Sequence, residues 1–299
     1  MFIYVLVFAT VIAAGALVVL GALNYLAWSR TQVERLPLWQ HPSDFSILHE
    51  DVVFPARGER LLLRGWYLPA GKDERCVILV QGEEHHRNSP GIQALLLARD
   101  LTVRGYSVLL FDLRARGESD GARSSAGDRE RRDLLGALDY VVGRGIPLGC
   151  IGLLGFSLGA AVAILVASRE PRLRAVVSDS AFADLMEDLR HELVPGIALP
   201  RTLVGMLSAV GGLFWGAKFS AVRPLRAISG VAPRPLLFIH GTDDDVISPQ
   251  QSQRLAVAAA GHSELWLVEG AGHVGAYRSR PAEYVERVAG FFDRHLRVN

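Results

Sequence analysis

Leu154-Gly155-Phe156-Ser157-Leu158-Gly159 is a G-x-S-x-G run. An apolar stretch, residues 150–154, leads into it, and a small-residue helical stretch, residues 160–167, leads out. Glycines at 155 and 159 let the backbone turn sharply and let strand and helix approach closely. A serine set on such a turn lifts its Oγ into the open, and the following N–H, that of Leu158, points at an incoming carbonyl oxygen. A serine hydroxyl is a weak nucleophile and needs a base held by an orienting acid. Two later segments have the form to supply them. His240-Gly241-Thr242-Asp243-Asp244-Asp245 follows the apolar run 235–239, and Gly270-Ala271-Gly272-His273 follows the run 264–268. A glycine-rich turn with a bystander serine is the bland alternative. The strand before, the helix after and both partners in order weigh against it.

The chain has 299 residues, 50% hydrophobic and 21% charged, enough to bury a sizeable core. A net charge of +1 with no basic block among aromatics makes nucleic acid an unexpected partner. No Cys/His array has metal-ligand spacing, so neither metal nor cofactor is expected.

Residues 2–28 contain no charged side chain, and only Thr10 and Asn24 are strongly polar. A helix of that length, at about 1.5 Å per residue, crosses a hydrocarbon core with some tilt. Tyr25 and Trp28 sit near one end, where amphipathic rings favour the interface. A cleaved signal peptide would carry a basic start, a shorter apolar core and a small-x-small site; here no Lys or Arg precedes the run. The expectation is a retained anchor over 1–28 and a polar juxtamembrane linker over 29–45, with few contacts between anchor and domain. Arg30 and Arg35 flank the anchor's end, so the positive-inside bias points to a single-pass protein with its catalytic domain in the cytoplasm.

From residue 46 to 299 strand-like runs alternate with helical patterns. Strands are expected over 50–54, 61–68, 77–80, 107–111, 173–177, 235–239 and 264–268, besides the one before Ser157. Helices are expected over about 90–104, 128–142 and 281–296. Strands this apolar, separated by helices, imply a mostly parallel sheet covered on both faces. About fifty residues separate the strand ending near Asp179 from that starting at Pro235, more than a crossover needs. Residues 182–193 are amphipathic and 202–215 apolar, which predicts a helical lid over about 182–222, with Leu207, Phe214 and Trp215 against substrate. Gly205, Gly211, Gly212 and Gly216 argue against a second membrane span.

On these residues the chain resembles the α/β-hydrolases, and in particular membrane-anchored bacterial serine hydrolases, some prolyl-oligopeptidase-like, over roughly residues 46–297. The resemblance implies an eight-stranded sheet with the lid after the sixth strand. It makes Ser157 the nucleophile and His273 its base. The family pattern His-Gly-x-x-Asp, laid on residues 240–244, selects Asp244 as the acid, with Asp243 and Asp245 as loop carboxylates. Asp179 is the alternative, since some members carry the acid there. The oxyanion would be held by the N–H of Leu158 and that of Glu83. The family commonly reads His-Gly before the latter position, and this chain reads Gln81-Gly82, whose amide could take over the histidine's hydrogen bonding. Glu83, Glu84, His85 and His86 are too close in sequence to converge readily on one metal ion. Arg114 and Arg116 are read as ion-paired support for the oxyanion segment, and His240 as structural. His41, His49, His191, His262 and His295 have no constellation around them. Cys76 and Cys150 begin strands that the fold sets side by side, as buried thiols.

Three functions compete on this basis. The leading one is a serine hydrolase that cleaves an ester or thioester, with the anchor and lid favouring a lipophilic acyl substrate. The second is a prolyl-oligopeptidase-like peptidase or amidase. The third is a membrane-tethered binding module that kept the fold; the presence of Ser157, Asp244 and His273 together weighs against it.

Overall fold

The computed structural model describes residues 1–71, 74–83, 86–193 and 197–296. After the long helix α1 (Phe2–Ser29) the chain forms β1 (Glu50–Pro55), β2 (Leu62–Leu68) and β3 (Cys76–Val80), then α2 (Ala94–Val103) and β4 (Ser107–Phe111). Next come α3 (Glu130–Gly143), β5 (Ile151–Phe156), α4 (Leu158–Ala167) and β6 (Ala175–Asp179). An excursion follows: α5 (Leu185–Glu192), α6 (Arg201–Val210) running into a π turn (Gly211–Trp215), and short α7 (Pro224–Ala227). The chain closes with β7 (Leu236–Gly241), α8 (Gln250–Ala258), β8 (Ser263–Val268), α9 (Ala276–Ser279) and α10 (Pro281–His295).

The eight strands form one sheet in the order β1-β2-β4-β3-β5-β6-β7-β8. β2 is antiparallel to both its neighbours, and every pair from β4 to β8 is parallel. The central strands are buried on both faces, as parallel strands between helices must be. Strand periodicity divides their side chains. Ile78, Val80, Leu153 and Phe238 pack with α3 and α4, whereas Val77, Leu79, Leu154 and Ile239 pack with α2 and α10. The expected strands and helices are present, with ends moved by a few residues. The helix expected from Pro90 starts at Ala94, because Gln93 adopts a left-handed conformation (φ 55°). Cys76 and Cys150 are buried, unbridged thiols, and Cys76 lies in register with Ile151.

One expectation fails. Few contacts are expected between the N-terminal helix and the domain, yet a third apolar cluster joins them. Leu23 and Ala27 of α1 are buried against Val204, Leu207 and Val210 of α6, with Phe219 and Leu189. Trp215 Nε1 donates to Asn24 Oδ1 at 3.1 Å, and Arg123 lies over the same indole, 4.6 Å from the ring centroid. Beyond α1, Ser124 N donates to the buried Thr31 carbonyl at 3.0 Å, and Arg35 reaches the carbonyls of Gly117 and Gly121 at 2.8 and 2.6 Å. The apolar face of α6 needs a partner, and the last turns of α1 supply it. Residues 1–22 of α1 are exposed throughout. Deleting residues 1–22 should therefore leave the remaining chain's thermal midpoint nearly unchanged. Deleting 1–30 uncovers Val204 and Leu207 and should lower it by about 5 °C or more, measured by circular dichroism.

Candidate active site

The elbow at Ser157 is built by close backbone contact. Ser157 has φ 52° and ψ −119°, a conformation that costs a non-glycine residue about 1–3 kcal/mol. Its N–H donates to the Asp179 carbonyl of β6 at 2.8 Å, and its own carbonyl starts α4 by accepting from Ala160 and Ala161. A Cβ at Gly159 would lie 2.1 Å from the Val80 carbonyl oxygen, and one at Gly155 would lie 2.5 Å from that of Gly159. Both positions therefore require glycine for the strand–helix approach that sets Ser157 at the end of the sheet.

His273 follows β8 and Asp244 follows β7. His273 Nε2 is 3.0 Å from Ser157 Oγ, and Nδ1 is 2.8 Å from Asp244 Oδ2. The two loops are stitched together: Asp243 N donates to the Ala271 carbonyl at 3.0 Å, and Gly270 N to Thr242 Oγ1 at 2.9 Å. Gly241 permits this, since a Cβ there would lie 2.1 Å from the Ala271 oxygen. Burial drives the Asp244 carboxyl up, but hydrogen bonds from His240, His273 and the Ile247 N–H outweigh it and hold the group well below the usual carboxylate range. Asp244 is thus ionised beside the ring it orients. Asp243 and Asp245 are exposed.

His240 does more than the sequence disclosed. Its buried ring sends Nε2 to Asp244 Oδ2 at 3.1 Å and to the Ile247 carbonyl at 2.8 Å, while Nδ1 meets Ser252 Oγ at 2.7 Å. A carbonyl can only accept, so Nε2 carries the proton and donates toward Asp244. The strand-end His-Gly pair was the available signal, but only the tertiary structure shows the carboxylate it reaches. Asp179 is engaged elsewhere: Tyr284 Oη donates to Oδ2 and Ser180 Oγ to Oδ1, both at 2.9 Å. Burial raises its carboxyl to about 6, against the pull of those two bonds.

Ser157, His273, Leu158 and Glu83 line one cavity of about 490 Å³, within the range of ligand pockets. Its apolar wall is Phe182, Leu185, Leu189, Phe219, Val246 and Ile247, and its polar rim includes Arg30 and Asp188. The lid segment 182–189 therefore meets the cavity as expected, but residues 202–215 do not line it. Leu207 is buried on α1, Trp215 bonds to it, and Phe214 faces outward. A larger cleft of about 650 Å³ lies between the β1–β2 turn and α3 and contains none of the residues singled out for chemistry.

The oxyanion segment is braced from below. Buried Arg116 donates through Nε to the Glu83 carbonyl at 2.6 Å and lies 3.7 Å from Glu130. Arg114 pairs with buried Asp133 at 2.7 Å, and Arg87 with buried Asp112 at 2.5 Å. The Gln81 amide is buried without a hydrogen-bond partner among the described residues, contrary to the substitution expected of it. Glu84 and His85 lie outside the described residues; His86 is buried, its Nδ1 accepting from Asn88 N at 3.1 Å. A constellation also forms where none was expected. Side-chain ligand atoms of His41, His49 and Asp51 lie within 4.8 Å of one another, outside the Ser157 cavity.

Two outcomes follow from this geometry. Gly159→Ala should lower the thermal midpoint by about 5 °C or more, while Gly143→Ala, with open space around it, should be neutral or slightly stabilising. For Asp179, folding raises the carboxyl's pKa, so the folded chain holds that proton more tightly than the unfolded one. Its contribution to stability therefore weakens as pH rises from the ordinary carboxylate value to about 6. Asp179→Asn should flatten that part of the stability-versus-pH curve in denaturant titrations.

Residues 57–201 match the model of the X-Pro dipeptidyl-peptidase (S15) family. The uncharacterized protein YfhR of Salmonella typhi is 30% identical over 263 residues, covering 83% of this chain and 82% of that one. The uncharacterized protein YqkD of Bacillus subtilis is 31% identical over 192 residues, and the match spans 63% of each chain, under two thirds of that relative's length. The structure of the Pyrococcus furiosus esterase Pf2001 superposes with a TM-score of 0.73 at 26% identity, covering 89% of this chain and all of that one. The eight-stranded sheet, the serine elbow between β5 and α4 and these likenesses agree: the chain is a hydrolase of the α/β-hydrolase superfamily and belongs to one family with YfhR.

Proposed function

We propose that this protein is a membrane-anchored serine hydrolase that cleaves carboxylic esters or thioesters through an acyl-enzyme. The observation that carries the reading is the continuous Ser157–His273–Asp244 hydrogen-bonded chain, set on a strained elbow at the wall of an apolar cavity. Ser157 Oγ attacks the substrate carbonyl carbon as its proton passes to His273 Nε2. Asp244, ionised and held by His240, orients the ring and balances the imidazolium. The tetrahedral oxyanion is held by the N–H groups of Leu158 and Glu83. His273 then returns the proton to the departing alcohol or thiol, and a water molecule repeats the cycle to release the acid.

The apolar wall supports an acyl group as the bound portion of substrate. Residues 2–28, with a mean hydropathy of 2.7 over their most apolar window, support retention as a membrane span. Arg30 and Arg35 on the domain side support a cytoplasmic location. A peptidase reading has one observation in its favour, the match to the X-Pro dipeptidyl-peptidase model.

Fluorophosphonate labelling tests the nucleophile. Wild-type protein should be labelled and Ser157→Ala should not, with both folded; a label that persists in Ser157→Ala removes the proposal. Asp244→Asn should lower kcat by about 10³–10⁴-fold, the loss known when a triad acid ceases to hold its histidine, while Asp179→Asn should stay within tenfold of wild type. Turnover of X-Pro anilides in preference to acyl esters would favour the peptidase.

A further inference from the structure

Resting on that anchored-hydrolase reading, we propose that the end of α1 and the α6–π-turn segment form one rigid body seated in the membrane interface. This body carries the mouth of the catalytic cavity to the surface of the lipid, so that substrate enters from the bilayer. The occupant of the exposed apolar face is the headgroup–acyl boundary of the membrane itself.

The length of α1 sets the level. Its uncovered part, residues 2–22, is 21 residues long, and at about 1.5 Å each it measures about 31 Å, the thickness of a hydrocarbon core. The next residue, Leu23, is where α1 becomes buried against α6. The span therefore ends where the domain begins, with no slack between them. Asn24 and Trp215 are bonded at this level, and Tyr25 is exposed beside them, the residue types that favour the interface. The π turn follows on the same body and leaves Leu213 77% and Phe214 56% exposed, with Met206 of α6 50% exposed. In water such neighbours form an apolar patch; beside a membrane span they continue its lipid-facing surface.

The same body reaches the chemistry. Arg30, one turn beyond buried Ala27, lines the cavity that holds Ser157 and His273. Phe219, which also lines the cavity, packs against Gly211, where a Cβ would lie 2.9 Å from its ring. The anchor is thus part of the cavity wall, and the lid is held to it by the buried apolar contacts and the Asn24–Trp215 bond. A lipophilic ester can leave the lipid beside this wall without crossing bulk water.

The full-length chain in vesicles tests this by site-directed fluorescence, because Cys76 and Cys150 are buried and leave an introduced thiol as the reactive one. Environment-sensitive labels are placed at Leu213→Cys and Phe214→Cys, at Val11→Cys within the anchor, and at Val257→Cys on α8, which is 81% exposed. Lipids carrying a nitroxide near the headgroup should quench the labels at 213 and 214 strongly and that at 257 little. A nitroxide deep in the acyl chain should quench the label at 11. Quenching at 213 and 214 no greater than at 257, with 11 quenched, overturns the interfacial seating and leaves the anchor intact. Absence of quenching at 11 removes the anchor and this proposal with it, while fluorophosphonate labelling of Ser157 still reports separately on the hydrolase. In the same vesicles, the double variant Leu213→Asp/Phe214→Asp should lose about tenfold in kcat/KM for a long-chain ester dissolved in the bilayer. It should stay within about twofold of wild type for a soluble acetyl ester. Equal losses on both substrates would overturn the route through the lipid.

Discussion

The site depends on one close approach, that of α4 to β3 at Gly159. Where Gly159 packs on the carbonyls of Val80 and Gln81, helix and sheet come nearer than any side chain would permit. At the head of that contact Ser157 takes a strained positive-φ conformation, held by the bond from its N–H to the Asp179 carbonyl. The surrounding strands are buried on both faces and leave the turn little room to relax. Preorganisation of this kind lets a serine present its hydroxyl to a base without paying for rearrangement at the moment of reaction.

The second constraint is electrostatic. Burying an ionised carboxylate is costly unless donors surround it. Asp244 has the rings of His240 and His273 and the N–H groups of Val246 and Ile247. Asp179, more deeply buried and met by two hydroxyls, is driven the other way, chiefly by that burial. Two carboxyls at adjacent strand ends are thus pushed apart in acidity, and the more acidic one is the one that faces His273. This separation is what distinguishes the two candidate acids, and it lies in their depth of burial and their hydrogen-bond partners, not in their distance along the chain.

The apolar helix α1 adds a third constraint. A hydrophobic helix at the start of a chain is ordinarily read as a tether, but the last turns of α1 fill a face of α6 that would otherwise meet water. Shared burial couples the lid's position to α1, and the cavity borrows Arg30 from the end of the same helix.

Much of this was legible along the chain, because its signals are local. The fully apolar strand runs, the G-x-S-x-G turn and the strand-end positions of Asp244 and His273 needed only short-range periodicity and spacing. Residues 2–28 declared their length and lack of charge in the same way. What the sequence could not disclose were relations between distant segments. His240 reads as a strand-end residue until the β7 loop folds back and places Asp244 against its ring. The apolar side chains of 202–215 fit a substrate pocket as well as a helix partner, since hydrophobic burial is non-directional and the pattern does not name what covers it. The Gln81 amide looks like a replacement for histidine, yet no partner among the described residues meets it. By itself the sequence determined the sheet, the elbow and the candidate reactive groups. The tertiary structure alone decided which carboxylate meets His273 and which helix covers the lid, because both depend on contacts between segments far apart in the chain.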